Sequence, residues 1–298
     1  LGIGLAFFSN KQGPGVLFQT GSSTGGVVTL TAIATALLLP IWTLAGWEGA
    51  ADLAEETHDP RKVAPKAMMR AVIVSGITGL GVFAIFAMAI PGEIADTVNA
   101  TDKNPMVSIF ESHFGSAGGF ILQVVAFCGM FSCLLANVTV ATRTCYALSR
   151  DKMLPFSNVL AKVSTKSKVP TRAVVLAGVW ATGVTFLSSG IAAQVTGIVA
   201  VVLYVTYGLS LLSAYLGQKN NRIPTVGAGY FDISKSLSLL AVIGMVWCLV
   251  VIAAMVLPSG SFPVLRTTVY FELAGFLWWV LYLRGKLNKG EVGLNMRR

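Results

Sequence analysis

The stretch Leu37-Leu38-Leu39-Pro40-Ile41-Trp42-Thr43-Leu44-Ala45-Gly46-Trp47-Glu48-Gly49-Ala50-Ala51-Asp52-Leu53-Ala54-Glu55-Glu56 reads as an apolar helix interrupted part-way along its course. Pro40 removes a backbone donor and perturbs the helix around it. Gly46 and Gly49 flank Glu48 and weaken the helix further. Beyond Glu48 the residues stay small and fairly apolar as far as Glu55. A broken helix is tolerated in a bilayer only where protein or a water-filled cavity covers the break. Carbonyls and amides freed there bind a solute's ammonium or carboxylate, and the half-helix ends add partial charge. Glu48 falls beside that break, and an ionisable group at membrane depth is a functional-site hypothesis by default. The other reading is a helix that ends near Trp47, an interfacial anchor, with Glu48 opening a solvated acidic loop.

The surroundings of this stretch favour a membrane. Of the 298 residues 54% are hydrophobic and 12% charged, against about 25% charged in a soluble domain. The apolar residues fall in blocks near the roughly 20 residues that a helix needs to cross a bilayer. Full spans are expected at about 27–47, 67–90, 118–142, 173–189, 194–216, 236–257 and 268–283, and Leu1–Phe8 reads as the tail of another. Blocks such as Ala71–Ile90 are apolar all round and too long for the alternating strands of a barrel. The fold class expected is an all-α integral membrane protein with about seven transmembrane helices. The chain opens without Met inside an apolar run, so an N-terminal part is expected to precede it.

Charge sets the expected orientation. Nineteen basic residues fall in one set of alternate loops and the tail, including Arg61, Lys62, Arg143, Arg150, Lys152, Lys219 and Lys286; the opposite loops hold Lys11, Lys103 and Arg266. Cytoplasmic loops carry the excess of Lys and Arg, which predicts a cytoplasmic C-terminus in a multi-pass protein of the cell membrane. The net charge of +9 is therefore read as topology and attraction to membrane lipid, with no nucleic-acid partner. Cys128, Cys133, Cys145 and Cys248 lack zinc-ligand spacing and lie far from His58 and His113, so neither a metal nor another cofactor is expected. The spans contain no histidine and no Gly-x-Ser-x-Gly motif, which argues against an intramembrane enzyme. Among the loops, Asn104–Phe114 is expected to make a short helix with Met106, Ile109, Phe110 and Phe114 on one face.

Three motifs carry a family resemblance. Gly46-Trp47-Glu48-Gly49-Ala50, then Leu53-Ala54-Glu55-Glu56-Thr57-His58-Asp59-Pro60-Arg61-Lys62 and Pro65-Lys66-Ala67, resemble the sixth transmembrane helix and following inner loop of amino acid–polyamine–organocation (APC) permeases. Ala141-Thr142-Arg143-Thr144-Cys145-Tyr146-Ala147-Leu148-Ser149-Arg150-Asp151 with Leu154-Pro155 is similar to the inner end of their eighth helix, and Val169-Pro170-Thr171-Arg172-Ala173 to the start of the ninth. The resemblance implies a LeuT-like fold of inverted five-plus-five repeats within twelve helices. Residues 1–26 would then hold the end of helix five and an outer loop, 27–216 helices six to ten, 236–285 helices eleven and twelve, and 286–298 a cytoplasmic tail.

The same resemblance implies a secondary active transporter of amino acids, working by alternating access as a proton symporter or an exchanger. Backbone carbonyls at Trp42, Ala45 and Gly46 would meet the substrate's α-amino group, with the Trp42 ring as a lid. Glu48 matches an acidic residue tied to coupling or gating, or else braces the unwound turn. Asn137 matches a substrate-lining position, although an interhelical hydrogen bond is its commoner use. Tyr204 and Tyr207 could reach the same cavity, or simply pack. The alternatives are a permease for a polyamine, γ-aminobutyrate or a choline-like cation, for which Trp42 and Trp47 offer aromatic faces, and an amino-acid sensor without flux.

Overall fold

A computed structural model describes residues 12–18, 36, 40–92, 94, 104–166, 168–186, 189–223, 226–227, 230–257 and 262–293. Among them every regular element is helical and no strand occurs. The helices are α1 (Gly49–Asp52), α2 (Pro60–Met88), α3 (Pro105–Arg150), α4 (Ser157–Leu160), α5 (Thr171–Thr185), α6 (Ser189–Lys219), α7 (Leu237–Val256), α8 (Phe262–Trp278) and α9 (Arg284–Lys289). Five stretches are long and apolar enough to cross a membrane: Pro60–Met88, Pro105–Arg150, Gly197–Lys219, Leu237–Val256 and Pro263–Lys289. Their apolar side chains face outward, as with Ile77 at 69%, Leu80 at 73% and Leu249 at 66% exposure. Helices that are apolar all round and exposed in this way belong in lipid.

The helices overrun the hydropathic blocks because only their lipid-facing parts are apolar. α2 begins at Pro60 rather than near 67, with proline at the first helical position where its missing donor costs nothing. Asp59, with φ of 47°, turns the chain into it, and its carbonyl accepts from the Lys62 and Val63 amides. At the other end, residues 284–289 remain helical, so the proposed tail from 286 starts inside α9; Gly290 (φ 72°) closes that helix. A π-helical turn, Trp279–Leu283, joins α8 to α9. α5 covers most of the expected span at 173–189 in 15 residues. Most of 27–47 lies outside the described residues, within which 36 and 40–43 are helical.

The chain divides into two compact units. Unit 1 comprises residues 1–47 and 69–136. Within it, α3 is interrupted at Gly115 (φ 68°, ψ −177°), which sets off Pro105–Phe114 as the short helix expected there. Ile109 and Phe110 are its buried residues, packed with Ala89 and Ile90 from the end of α2. Met106 and Phe114 are more exposed, and the Phe114 ring lies 4.7 Å from that of Phe110. The last carbonyls of a helix lack intrahelical partners. Here the Gln12 amide nitrogen donates to Ile90 O at 3.1 Å and Gly92 O at 2.5 Å, and His113 Nε2 donates to Ala89 O at 2.6 Å.

Unit 2 comprises residues 48–68 and 137–298. In it α6 packs along both α7 and α8. Cys248 Cβ lies 3.8 Å from the Cβ position of Gly208, so small residues line the α6–α7 seam, as is usual between membrane helices. The Trp278 indole donates to Met153 O at 3.2 Å and stacks on Tyr282 at 4.3 Å.

Phe110 is 1% exposed and Phe120 67%. Phe110→Ala should therefore cost about 3–5 kcal/mol, seen as a lower melting temperature of the purified protein. Phe120→Ala should leave that temperature unchanged.

Candidate functional site

The interrupted helix is present. Residues 40–43 are helical, 44–48 form a turn, and α1 starts at Gly49. The first segment closes with Leu44 N donating to Pro40 O at 3.0 Å and Ala45 N to Trp42 O at 3.3 Å. Gly46 then takes φ of +94°, a conformation that L-residues with a side chain rarely adopt. Nothing lies within 4 Å of its Cβ position. Among the described residues no hydrogen bond reaches the Ala45 carbonyl. The Trp42 carbonyl is used once, which leaves one of its two lone pairs.

These residues belong to unit 1, where they lie on α2. Thr43 Cγ2 is 2.8 Å from the Cβ position of Gly79 and Leu44 Cδ2 3.6 Å from that of Gly76. A side chain at position 79 would force Thr43 to shift. Ile41 is buried at 6%, whereas the Trp42 ring is 42% exposed.

Glu48 opens unit 2. It is half-buried, and its carbonyl accepts from Ala51 N at 2.7 Å and Asp52 N at 3.1 Å as α1 begins. Its carboxyl group interacts electrostatically with the hydroxyl of Tyr207 on α6, whose oxygen is buried. Tyr204, one turn earlier, meets the Tyr207 ring edge-on at 5.6 Å and lies in the electrostatic field of Glu48. Asp52 adds a second carboxylate that interacts with Glu48. Against α3, Val140 Cγ2 lies 3.5 Å from the Cβ position of Gly49. Asn137, one turn before Val140, is exposed. Of the residues anticipated from sequence, unit 2 thus holds Glu48, Tyr204 and Tyr207, and both tyrosines lie in the electrostatic field of the Glu48 carboxylate.

Beyond α1 a single 3-10 turn, Ala54–Glu56, presents two acids to the end of α3. Arg150 grips Glu55 with two hydrogen bonds of 2.8 and 2.9 Å, and Arg143 Nε lies 2.7 Å from Glu56 Oε1. The two arginines are seven residues apart, two helical turns, and so share a face. The two motifs quoted above hold these residues, yet nothing in either motif alone announces that they meet. The signal was there: adjacent acids in one segment, and basic residues at a spacing of seven in the other.

The match to known families is now informative. The family model described as "Amino acid permease" matches residues 1–281. The chain belongs to the amino acid permease family. It is 25% identical to amino-acid permease BAT1 of Arabidopsis thaliana over 85% of this chain and 50% of that protein. It is 30% identical to amino-acid permease 2 of Neurospora crassa over 46% of this chain and 25% of that one. With the choline transporter of Saccharomyces cerevisiae the identity is 27%, over 74% and 39%. The chain therefore spans at most half the length of these relatives. The permease motifs quoted from the sequence are the parts that build the interrupted helix and the ion-paired turn.

Arg150's hydrogen bonds hold the Glu55 carboxyl below the ordinary value of 4.5. A depressed folded value means that the pair stabilises fully above about pH 4.5 and is lost as pH falls through the folded value. Glu55 is exposed, so the contribution should stay under about 1 kcal/mol. A Glu55→Gln/Arg150→Gln double-mutant cycle, read by thermal melting, should show that coupling at pH 7 and none at pH 3.

Proposed function

We propose that this chain supplies helices six to twelve of a twelve-helix permease that moves amino acids across the plasma membrane by alternating access. The observation that carries the reading is the positive-φ interruption at Gly46 followed within two residues by a half-buried carboxylate, Glu48, that interacts with Tyr207. An ammonium group needs oxygen acceptors and compensation for its lost water. The carbonyls of Trp42, Ala45 and Gly46 supply acceptors, and the exposed Trp42 ring supplies an apolar cover that also favours a cation. Asn137 and Tyr204 are proposed as lining residues. Glu48 is proposed as the coupling group, with a proton as the coupling ion in symport. Family membership supports transport rather than catalysis.

Proton symport or exchange of small amino acids is the first reading. The likeness to a choline transporter favours testing an organic cation as the alternative substrate, and counterflow tests the third reading, a sensor without flux. In proteoliposomes holding the full-length permease, labelled neutral amino acids should accumulate and exchange, and excess choline should not compete. Choline competition without amino-acid uptake would replace the substrate class. Binding without counterflow would leave a sensor.

Removing a charged hydrogen-bond partner costs about 1.5–3 kcal/mol and a neutral one about 0.5–1.5 kcal/mol. Glu48→Gln should thus slow uptake by about 10- to 100-fold and flatten its pH dependence, with normal membrane insertion. Tyr207→Phe should slow it by about 3- to 10-fold. Unaltered uptake of the Glu48 variant at every pH would remove its role. Gly46→Leu, strained at φ of +94° and projecting into open space, should abolish substrate binding.

The one-sided distribution of basic residues supports a cytoplasmic C-terminus. Single cysteines placed at Lys166 and Lys289 should be labelled by an impermeant maleimide only after the cells are opened, and one at Lys103 in intact cells.

A further inference from the structure

In unit 2, the loop after α3 and the end of α9 enclose a cleft of about 580 Å³ lined by Lys152, Phe156, Asn158, Tyr282, Lys286 and Glu291, among others. It is built of different residues from the interrupted helix and has no part in the transport reading.

Its two lysines outnumber its one carboxylate, Glu291. Arg143 and Arg150 nearby are each matched with carboxylates, Glu56 for one and Glu55 with Asp151 for the other. Among the described residues no carboxylate comes within ion-pair distance of Lys152 or Lys286, although Glu291 lines the same cleft. Lys286 Nζ donates to the Tyr282 hydroxyl at 2.8 Å and lies 4.0 Å from that ring's centre. Both are neutral partners, which orient the ammonium and leave its charge available.

The walls are fixed. Gly293 N donates to Asp151 O at 2.9 Å, which ties the chain beyond α9 to the loop after α3. The Trp278 indole bond to Met153 O and its stack on Tyr282 tie the helix to the same loop. A cleft with walls cross-linked in this way presents its lysines at low entropic cost to a ligand.

The rim is apolar. Phe156 is 80% exposed and adopts φ of 59° and ψ of 25°, where a bulky residue is an outlier. Lys152 is also left-handed, at φ of 60°. Strain of this kind persists only where surrounding structure holds it, and it concentrates at sites of function. Trp and Tyr are enriched at the membrane–water interface, and Phe156 lines the same cleft as Tyr282, which stacks on Trp278. A water-soluble anion would make no use of the Phe156 ring, whereas a lipid would lay its chain along it.

We propose that this cleft binds the phosphate of an anionic phospholipid, with Lys152 and Lys286 on the phosphate and Phe156 against the acyl chain. The ligand chemistry is a phosphate ester, and the source is the leaflet that the basic loops face.

The test uses the full-length permease in nanodiscs of phosphatidylcholine mixed with phosphatidylserine, with retained lipid counted by native mass spectrometry. The wild type should retain phosphatidylserine preferentially. Lys152→Gln should lower that retention about fivefold, the loss expected for one basic residue at an anionic surface, and Lys152→Arg should keep it. Lys152 is an exposed loop residue, so its variants remain informative should Lys286→Gln fail to give a single elution peak. Lys166→Gln, outside the cleft, should change nothing. An equal loss in Lys166→Gln would mean diffuse attraction and overturn the site. Absence of phosphatidylserine preference would overturn it too. Displacement of the lipid by millimolar inorganic phosphate would show a site for a solution anion instead.

Discussion

A backbone amide or carbonyl in hydrocarbon has to find a partner within the protein, and the interval from Leu44 to Glu48 is where this chain departs from the helix that would provide one. The departure is built from identifiable parts. Pro40 and Trp42 carbonyls take the last bonds of the first segment, Gly46 reverses the backbone, and Glu48 takes the first bonds of the next. Gly79 lets the turn lie against α2, since a methyl there would meet Thr43 at 2.8 Å. The groups left exposed by the turn are few and local, which suits a small solute better than an extended one.

Segment 48–56 is secured at several points within unit 2. Glu48 interacts electrostatically with Tyr207 on α6, Gly49 faces Val140 on α3, and Glu55 and Glu56 are gripped by Arg150 and Arg143. None of these contacts is large in energy, because the ion pairs are partly exposed. Their effect is one of position.

The sequence revealed the helical class, five of the spans and the interruption, because each rests on local chemistry: block length, proline, glycine and charge. It also revealed the short helix before Gly115, whose apolar spacing is independent of any partner. What it could not reveal was pairing. Tyr204 and Tyr207 are equivalent in sequence, and only the rotation of α6 decides that Tyr207 interacts with Glu48 the more strongly. The Glu55–Arg150 and Glu56–Arg143 pairs join residues about ninety apart in the chain, a distance over which no periodicity carries information. Helix ends were misjudged for a related reason. Hydropathy marks the lipid-facing part, while α2 and α9 continue into polar sequence at Pro60–Lys66 and Arg284–Lys289.

Basic residues show how much a count can conceal. Read as a sum, they serve topology alone. Sorted by partner, they divide. Arg143 and Arg150 brace the segment after the break and are neutralised in doing so. Arg284 lies over Trp279, 5.8 Å from the ring centre, a geometry suited to an interfacial aromatic. Lys152 and Lys286 line a cleft with Glu291, and among the described residues neither is within ion-pair distance of a carboxylate. A guanidinium grips a carboxylate or a phosphate with a planar fork, whereas an ammonium on a flexible stem binds a phosphate as a point charge. Arg143 and Arg150 are paired within the protein, whereas Lys152 and Lys286 line the cleft proposed for a ligand, so these two pairs of cations divide between structure and binding.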